Sequence, residues 1–442
     1  MLFLESIRLR MPWDLLAVLL LFFLFSEAYV SIIVPVFNFG GMVSNPRGEV
    51  FVELGLLIFT SLLLPNVVKK PSEFYNWLYF CVLLIPAAVL SAEQGNQRFH
   101  LFLMFAALWL LILFRWFFSQ VIYRKTITKE LNFRLLPYHS IFVFVIAILI
   151  SVAVFVHGAF NFNFAKVYEY RFNISENIPI TLRYLMPLAS GALTGYLAAL
   201  SIHRRDVKCM FMIIITGILF FGFSSHKSML FNPLVAMTGY FFFKMSRPHL
   251  LVLSGLASLT VFSLLLPEGG TNLLGSLFLN RIIFIPSHIN FYYFDFFSTN
   301  SLTLWAESKI SLGLVDKTLP MPVMKYIGGL MTGNYNISAN TGWVANGYMN
   351  AGIIGIIIYA CIIGFFFALI DFWAKAYGKQ LVGAAFLLPV ITFIMSADLF
   401  IVILTSGLFL LIMIFEITTI RIYIRRIIFL KKKQNNMLFI EQ

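Results

Sequence analysis

The chain is poor in charge. Only 12% of its 442 residues are Asp, Glu, Lys or Arg, while 60% are hydrophobic. Ordinary globular domains carry about 25% charged residues. This composition excludes a string of soluble domains and indicates a membrane protein. Cysteine is scarce too. Cys81, Cys209 and Cys361 each lie in or beside an apolar run, which argues against a disulfide framework or a thiolate metal site. The chain has no Walker loop, dinucleotide fingerprint, zinc spacing or nucleophile elbow. An ATP-driven machine is thereby disfavoured, and no cofactor or metal is expected. No internal repeat is evident, unlike the paired halves of many transporters.

What the chain has is long apolar runs. They predict an all-α integral membrane protein, a polytopic bundle of about twelve transmembrane helices forming one domain over 1–442. The expected spans are 14–36, 50–67, 74–92, 99–122, 138–157, 182–202, 208–225, 228–245, 249–266, 347–370, 381–397 and 399–420. Fifty phenylalanines suit lipid-facing and helix-packing surfaces. Arg8, Arg10, the run Leu15–Phe25 and Ser26-Glu27-Ala28 imitate a signal peptide, but apolar sequence resumes from Val30 to Phe37. An uncleaved first helix is therefore expected.

The net charge of +13 follows orientation rather than a nucleic-acid patch. With the N-terminus inside, every inner segment carries at least two basic residues: Arg8 and Arg10; Lys69 and Lys70; Arg115 to Arg134; Arg204, Arg205 and Lys208; Lys244 and Arg247; Lys375 and Lys379; and the tail from Arg421 to Lys433. Both termini are then inside. The short outer turns are almost bare, and most outer basic residues fall in two long loops, 158–181 and 267–346. Long polar loops of this kind often carry function. Within the second, Leu273–Phe284 is apolar enough for an interfacial helix, and Ile289–Phe297 is rich in aromatics suited to the headgroup level.

Outer basic residues run against the orientation rule and need a reason. Arg281 can clamp a phosphate bidentately or simply snorkel from an amphipathic helix. Lys227, in the tight turn Phe223-Ser-Ser-His-Lys-Ser228, has the same two readings. Arg183 and Arg171 come from the other loop as phosphate contacts or plain charged rim. His288, Asp295 and Glu307 are candidates for a general base, which forming a glycosidic bond requires. Asn340, Trp343, Asn346 and Tyr348 open the tenth span and offer hydrogen bonds and a stacking face to sugar, or merely a helix cap and an interfacial anchor. Gly347, Gly352 and Gly355 permit close helix contact. Glu27, Asp398 and Glu416 are acids in or beside spans, where an ionisable group is a functional candidate or an edge ion pair.

Taken together, Ser225-His-Lys-Ser-Met-Leu230, Arg281-Ile-Ile-Phe-Ile-Pro286, Tyr292-Tyr-Phe-Asp-Phe-Phe297 and the stretch Asn340 to Gly355 resemble the bacterial O-antigen polymerases, the Wzy-type oligosaccharide repeat unit polymerases. The span count and the single late outer loop fit as well. The resemblance implies a bacterial inner-membrane enzyme that joins undecaprenyl-pyrophosphate-linked repeat units at the periplasmic face, without a nucleotide-sugar donor. It implies a long periplasmic loop before span ten, whose basic residues hold the pyrophosphate; Arg281 and Lys227 match best. Partners would be the lipid-linked oligosaccharide and membrane lipid, with a chain-length regulator and a flippase admitted. Two other readings stand beside it: an O-antigen ligase with the same plan, and a lipid-linked oligosaccharide flippase or transporter.

Overall fold

The structure, a computed structural model, describes residues 12–122, 136–163, 170, 178–266 and 275–420. Their regular structure is entirely helical. Among the described residues seven helices are long and apolar enough to cross a membrane: α1 Trp13–Phe37, α3 Pro71–Gln94, α4 Arg98–Ile122, α6 Ile180–Arg204, α7 Val207–Ser224, α9 Pro248–Leu265 and α12 Trp343–Tyr377. Between them lie α2 Phe51–Leu63, α5 His139–Phe155, α8 Lys227–Lys244, α10 Ile285–Thr299 and α11 Val323–Thr332. After them come α13 Lys379–Met395, α14 Leu399–Leu404 and α15 Leu408–Ile420.

Two expectations change. The stretch 399–420 is not one helix, because Gly407 adopts a left-handed φ of 88° between α14 and α15. A single residue in that conformation ends the helical ladder, and glycine takes it without a Cβ clash. The loop 267–346 also holds more helix than its polarity suggests. A wide-turned helical lead-in, Gly275–Phe284, continues directly into α10. The aromatics Phe291, Tyr293, Phe294 and Phe297 are buried there instead of lying at an interface.

Proline explains where helices widen. In α1, α3 and the lead-in to α10, turns with i→i+5 bonding precede Pro35, Pro86 and Pro286; in α6 they follow Pro187. A helical proline donates no hydrogen bond and its ring strikes the carbonyl four residues back, so a wider turn relieves both problems.

The chain divides into two compact units. The first comprises 1–124, 243–369 and 390–402. Its most enclosed helix is α3, with 89% of its central stretch buried. Near its start Trp77 stacks on His249 with ring centroids 4.3 Å apart, and His249 Nε2 lies 3.2 Å from Asp14 Oδ1, so α1, α3 and α9 are tied at one end. At the other end Glu53, fully buried, accepts from Ser91 Oγ at 2.9 Å and Arg98 Nε at 3.0 Å. Arg47 donates to the carbonyls of Ser91, Gly95 and Asn96. Arg98 and Arg47 thus close the start of α2 and the end of α3.

The second unit comprises 125–242, 370–389 and 403–442. Trp373 stacks on Phe386 (5.9 Å) and Phe415 (5.7 Å), joining the end of α12 to α13 and α15. A Cβ on Gly195 or Gly239 would run into Leu388 or Leu387, so α6 and α8 approach α13 through glycine. Asp206 caps α7, accepting from Cys209 N at 3.0 Å and from its thiol at 2.9 Å.

Candidate functional site

The site grows out of a break in α12. Its first two turns run from Trp343 to Asn350, and Thr341 to Asn350 are all buried. Ala351 (φ −147°) and Gly352 (φ 61°) then leave helical geometry before the helix resumes. The chain folds back sharply there. A Cβ on Gly347 would lie 3.0 Å from the Gly355 carbonyl oxygen, although eight residues of straight helix would separate them by about 12 Å. Gly342 approaches the Ile394 carbonyl at the end of α13 in the same way.

Breaking a helix releases carbonyls that need donors. The extended strap after α10 provides them. Thr303 N donates to Met349 O at 3.0 Å and Leu304 N to Asn350 O at 3.1 Å. Leu304 and Trp305 take left-handed φ of 46° and 62° to do so. The Asn350 side chain holds this strained pair. Its Oδ1 accepts from Thr303 Oγ1 (2.7 Å) and Trp305 N (3.0 Å), and its Nδ2 donates to Asn346 O at 2.8 Å. Trp305 Nε1 donates to Tyr359 OH at 3.0 Å, and that hydroxyl donates to Asp398 Oδ1 at 2.7 Å. Asp398 Oδ2 accepts from Phe400 N and so also starts α14. The strap, both halves of α12 and the α13–α14 junction form one polar network.

Against this network lies a half-open cavity of about 80 Å³, lined by Tyr293, Glu307, Ser308, Val323, Met324, Asn346, Met349, Asn350, Asp398 and Ile401. Asn346 Nδ2 is spent on Thr341 O (2.8 Å) and Gly342 O (2.9 Å), which leaves its Oδ1 as the open end of the amide. Burial holds the Asp398 carboxyl above the usual carboxylate range, with the Tyr359 hydroxyl opposing that rise. Among the described residues no group of three or more His, Cys, Asp or Glu could hold a metal ion.

The sequence candidates scatter. Glu307 and Asn346 meet at the cavity, joined there by Asp398. His288 is 2% exposed, with Nδ1 3.2 Å from Gln94 Oε1 and Nε2 3.1 Å from Gly40 O, so the ring is enclosed in packing and, when neutral, donates to one of these two oxygens. Asp295 Oδ1 lies 3.0 Å from Nδ1 of buried His100 without hydrogen-bond geometry. Trp343 is fully buried and offers no open face to a sugar, and Tyr348 is buried with its ring 4.8 Å from Phe294. Asn340 is exposed just before α12.

Arg281 is exposed on the lead-in to α10, one turn before Phe284, whose ring meets Phe25 and Tyr29 in the middle of α1. Twelve residues separate it from Tyr293 at the cavity, roughly 18 Å along the helix. Lys227 and Arg183 belong to the second unit. Lys227 is exposed at the start of α8; Arg183 is exposed near the start of α6 and donates through Nε to Ile178 O at 2.9 Å. Arg171 lies outside the described residues.

Four partners were not singled out from sequence: Asn350, Tyr359, Thr303 and His100. Asn350 and Tyr359 carried a signal, since a polar side chain inside an apolar run needs a partner. No family model matches the chain, and neither a curated protein nor a solved structure matches it.

Proposed function

We propose that the protein is a polymerase of lipid-linked oligosaccharide repeat units, acting at the outer, periplasmic face of a bacterial inner membrane. One observation carries this reading. Glu307 and Asn346, chosen from separate stretches as base and sugar ligand, line one half-open cavity beside a broken helix. Irregular backbone in a membrane protein is tolerated where it is enclosed by protein or lines a polar cavity.

In this reading Glu307 takes the proton of an acceptor sugar hydroxyl. That oxygen bonds to the anomeric carbon of the growing glycan, the bond from that carbon to the lipid pyrophosphate breaks, and undecaprenyl pyrophosphate leaves. Asn346 orients the sugar. Arg281, on the lead-in to the helix that carries Tyr293, is assigned to a carrier pyrophosphate.

The polysaccharide ladder of a deletion strain tests the reading. A polymerase mutant places single repeat units on the lipopolysaccharide core. A ligase mutant accumulates finished polymer on undecaprenyl pyrophosphate, and an unchanged ladder removes both. An Arg281→Ala variant that restores a full ladder at normal protein level would withdraw Arg281 from the account. Pure transport is excluded if the purified protein elongates a lipid-linked unit with no gradient present.

A further inference from the structure

The cavity has a chemical bias. Glu307 and Asp398 bring two carboxylates to it, and Asn346 adds an amide oxygen. Among the described residues no Lys, Arg or His lines it. Asn346 is only 8% exposed, and its Oδ1 accepts no hydrogen bond from the described residues. That oxygen therefore faces the cavity as an acceptor open to a hydroxyl donor. The Asp398 oxygens are already fixed by Tyr359 OH and Phe400 N, so this carboxylate cannot swing away. Ser308 supplies the lining's hydroxyl donor.

From these facts we infer that the cavity is the subsite for the acceptor's terminal sugar, taking one uncharged, hydroxyl-bearing edge of it and rejecting phosphate. This rests on the polymerase reading and names which end of which substrate the cavity holds. Two carboxylates and an amide oxygen repel a phosphate, and the repulsion grows where water is excluded. They match the outward hydroxyls of a sugar, each a donor. About 80 Å³ is the room of two or three waters, so one edge of a ring enters and the rest stays in the open mouth. The pyrophosphate of either substrate must then lie outside the cavity. Asp398 is a positioning residue here; Glu307 remains the group that takes the proton.

The test is thiol labelling of a Ser308→Cys variant of the full chain in lipid nanodiscs, with the parent protein as the blank for Cys81, Cys209 and Cys361. Two methanethiosulfonates are compared, one ending in trimethylammonium and one in sulfonate, each corrected for its rate with a free thiol. The cationic reagent is expected to react about tenfold faster, and Asp398→Asn is expected to shrink that ratio. A panel of neutral methyl glycosides is expected to yield at least one that slows labelling, while inorganic pyrophosphate does not. Equal rates for the two reagents, protection by pyrophosphate, or no protection by any glycoside would overturn the assignment. The two readings fail separately. Glycoside protection with an unchanged ladder in the deletion strain removes the polymerase and keeps a sugar cavity. A single-unit ladder without protection removes the cavity's role and keeps the polymerase.

Discussion

The backbone of Gly355 lies directly against the carbonyl of Gly347, eight residues earlier in the same helix. That contact exists only because α12 turns back at Ala351–Gly352. A Cβ on Gly355 would run into the Gly347 carbonyl, and a backbone atom cannot rotate aside as a side chain can. Gly355→Ala should therefore destabilise the protein by about 1–3 kcal/mol or more. Gly48→Ala, with open space around its Cβ, should change stability little. Thermal unfolding in detergent of both variants checks the pair; equal midpoints would mean the two halves of α12 are not in contact.

Asn350 offers a second check on the break. Asn350→Ala leaves Trp305 N without its acceptor, leaves Thr303 Oγ1 only its longer bond to Met349 O, and removes the support of two left-handed residues. A loss of about 2–4 kcal/mol is expected. Asn350→Asp keeps the acceptor but loses the bond donated to Asn346 O, so its loss should be smaller. Chemical unfolding curves of the two variants should rank in that order, and the reverse order would contradict the geometry.

The buried carboxyl gives a pH dependence with a definite sign. Burial raises the folded-state pKa of Asp398, so the folded protein holds that proton more tightly than the unfolded chain. The stabilisation is fully present below the ordinary carboxylate range and is lost as pH rises through the folded-state value. Asp398→Asn keeps an oxygen for the Tyr359 hydroxyl and does not titrate. The stability of wild type relative to this variant should therefore fall as pH rises. Parallel profiles of unfolding midpoint against pH would show that Asp398 ionises as freely in the fold as out of it.

Asp206 has the opposite sign. The Cys209 thiol and backbone N–H bonded to its carboxylate hold the carboxyl below its usual value. Its contribution is present above the ordinary carboxylate range and is lost as pH falls through the folded-state value. Removing this helix cap with Asp206→Ala should lower stability by about 1 kcal/mol at neutral pH. The difference from wild type should vanish in acid, and a difference that grows in acid would contradict the cap.

Much of this was legible in the sequence, and the failures have physical causes. Apolar runs located the helices because burial in lipid demands them. Glu307 stood out as a carboxylate in the long polar loop, and Asn346 and Asp398 because polar groups at the edge of apolar runs need a reason. Their meeting could not be foreseen, since Asp398 reaches the cavity from another helix junction, over fifty residues after Asn346. Trp343 was expected at a sugar and is buried, because the folded-back start of α12 is enclosed on all sides. The aromatic run from Phe291 to Phe297 suited a membrane interface by composition, but composition does not distinguish that from a helix packed against α3 and α4. His288 illustrates the same limit: a histidine beside a predicted loop is as well suited to joining Gln94 and Gly40 as to catalysis.

The central claim is that chemistry takes place at the cavity beside the broken helix, with Glu307 as the base. The most direct measurement is elongation of a lipid-linked repeat unit by purified protein, comparing wild type with Glu307→Gln at equal unfolding temperature. The account predicts a loss of about 10²–10⁴-fold in rate. A Glu307→Gln protein that elongates the glycan as fast as wild type would contradict it.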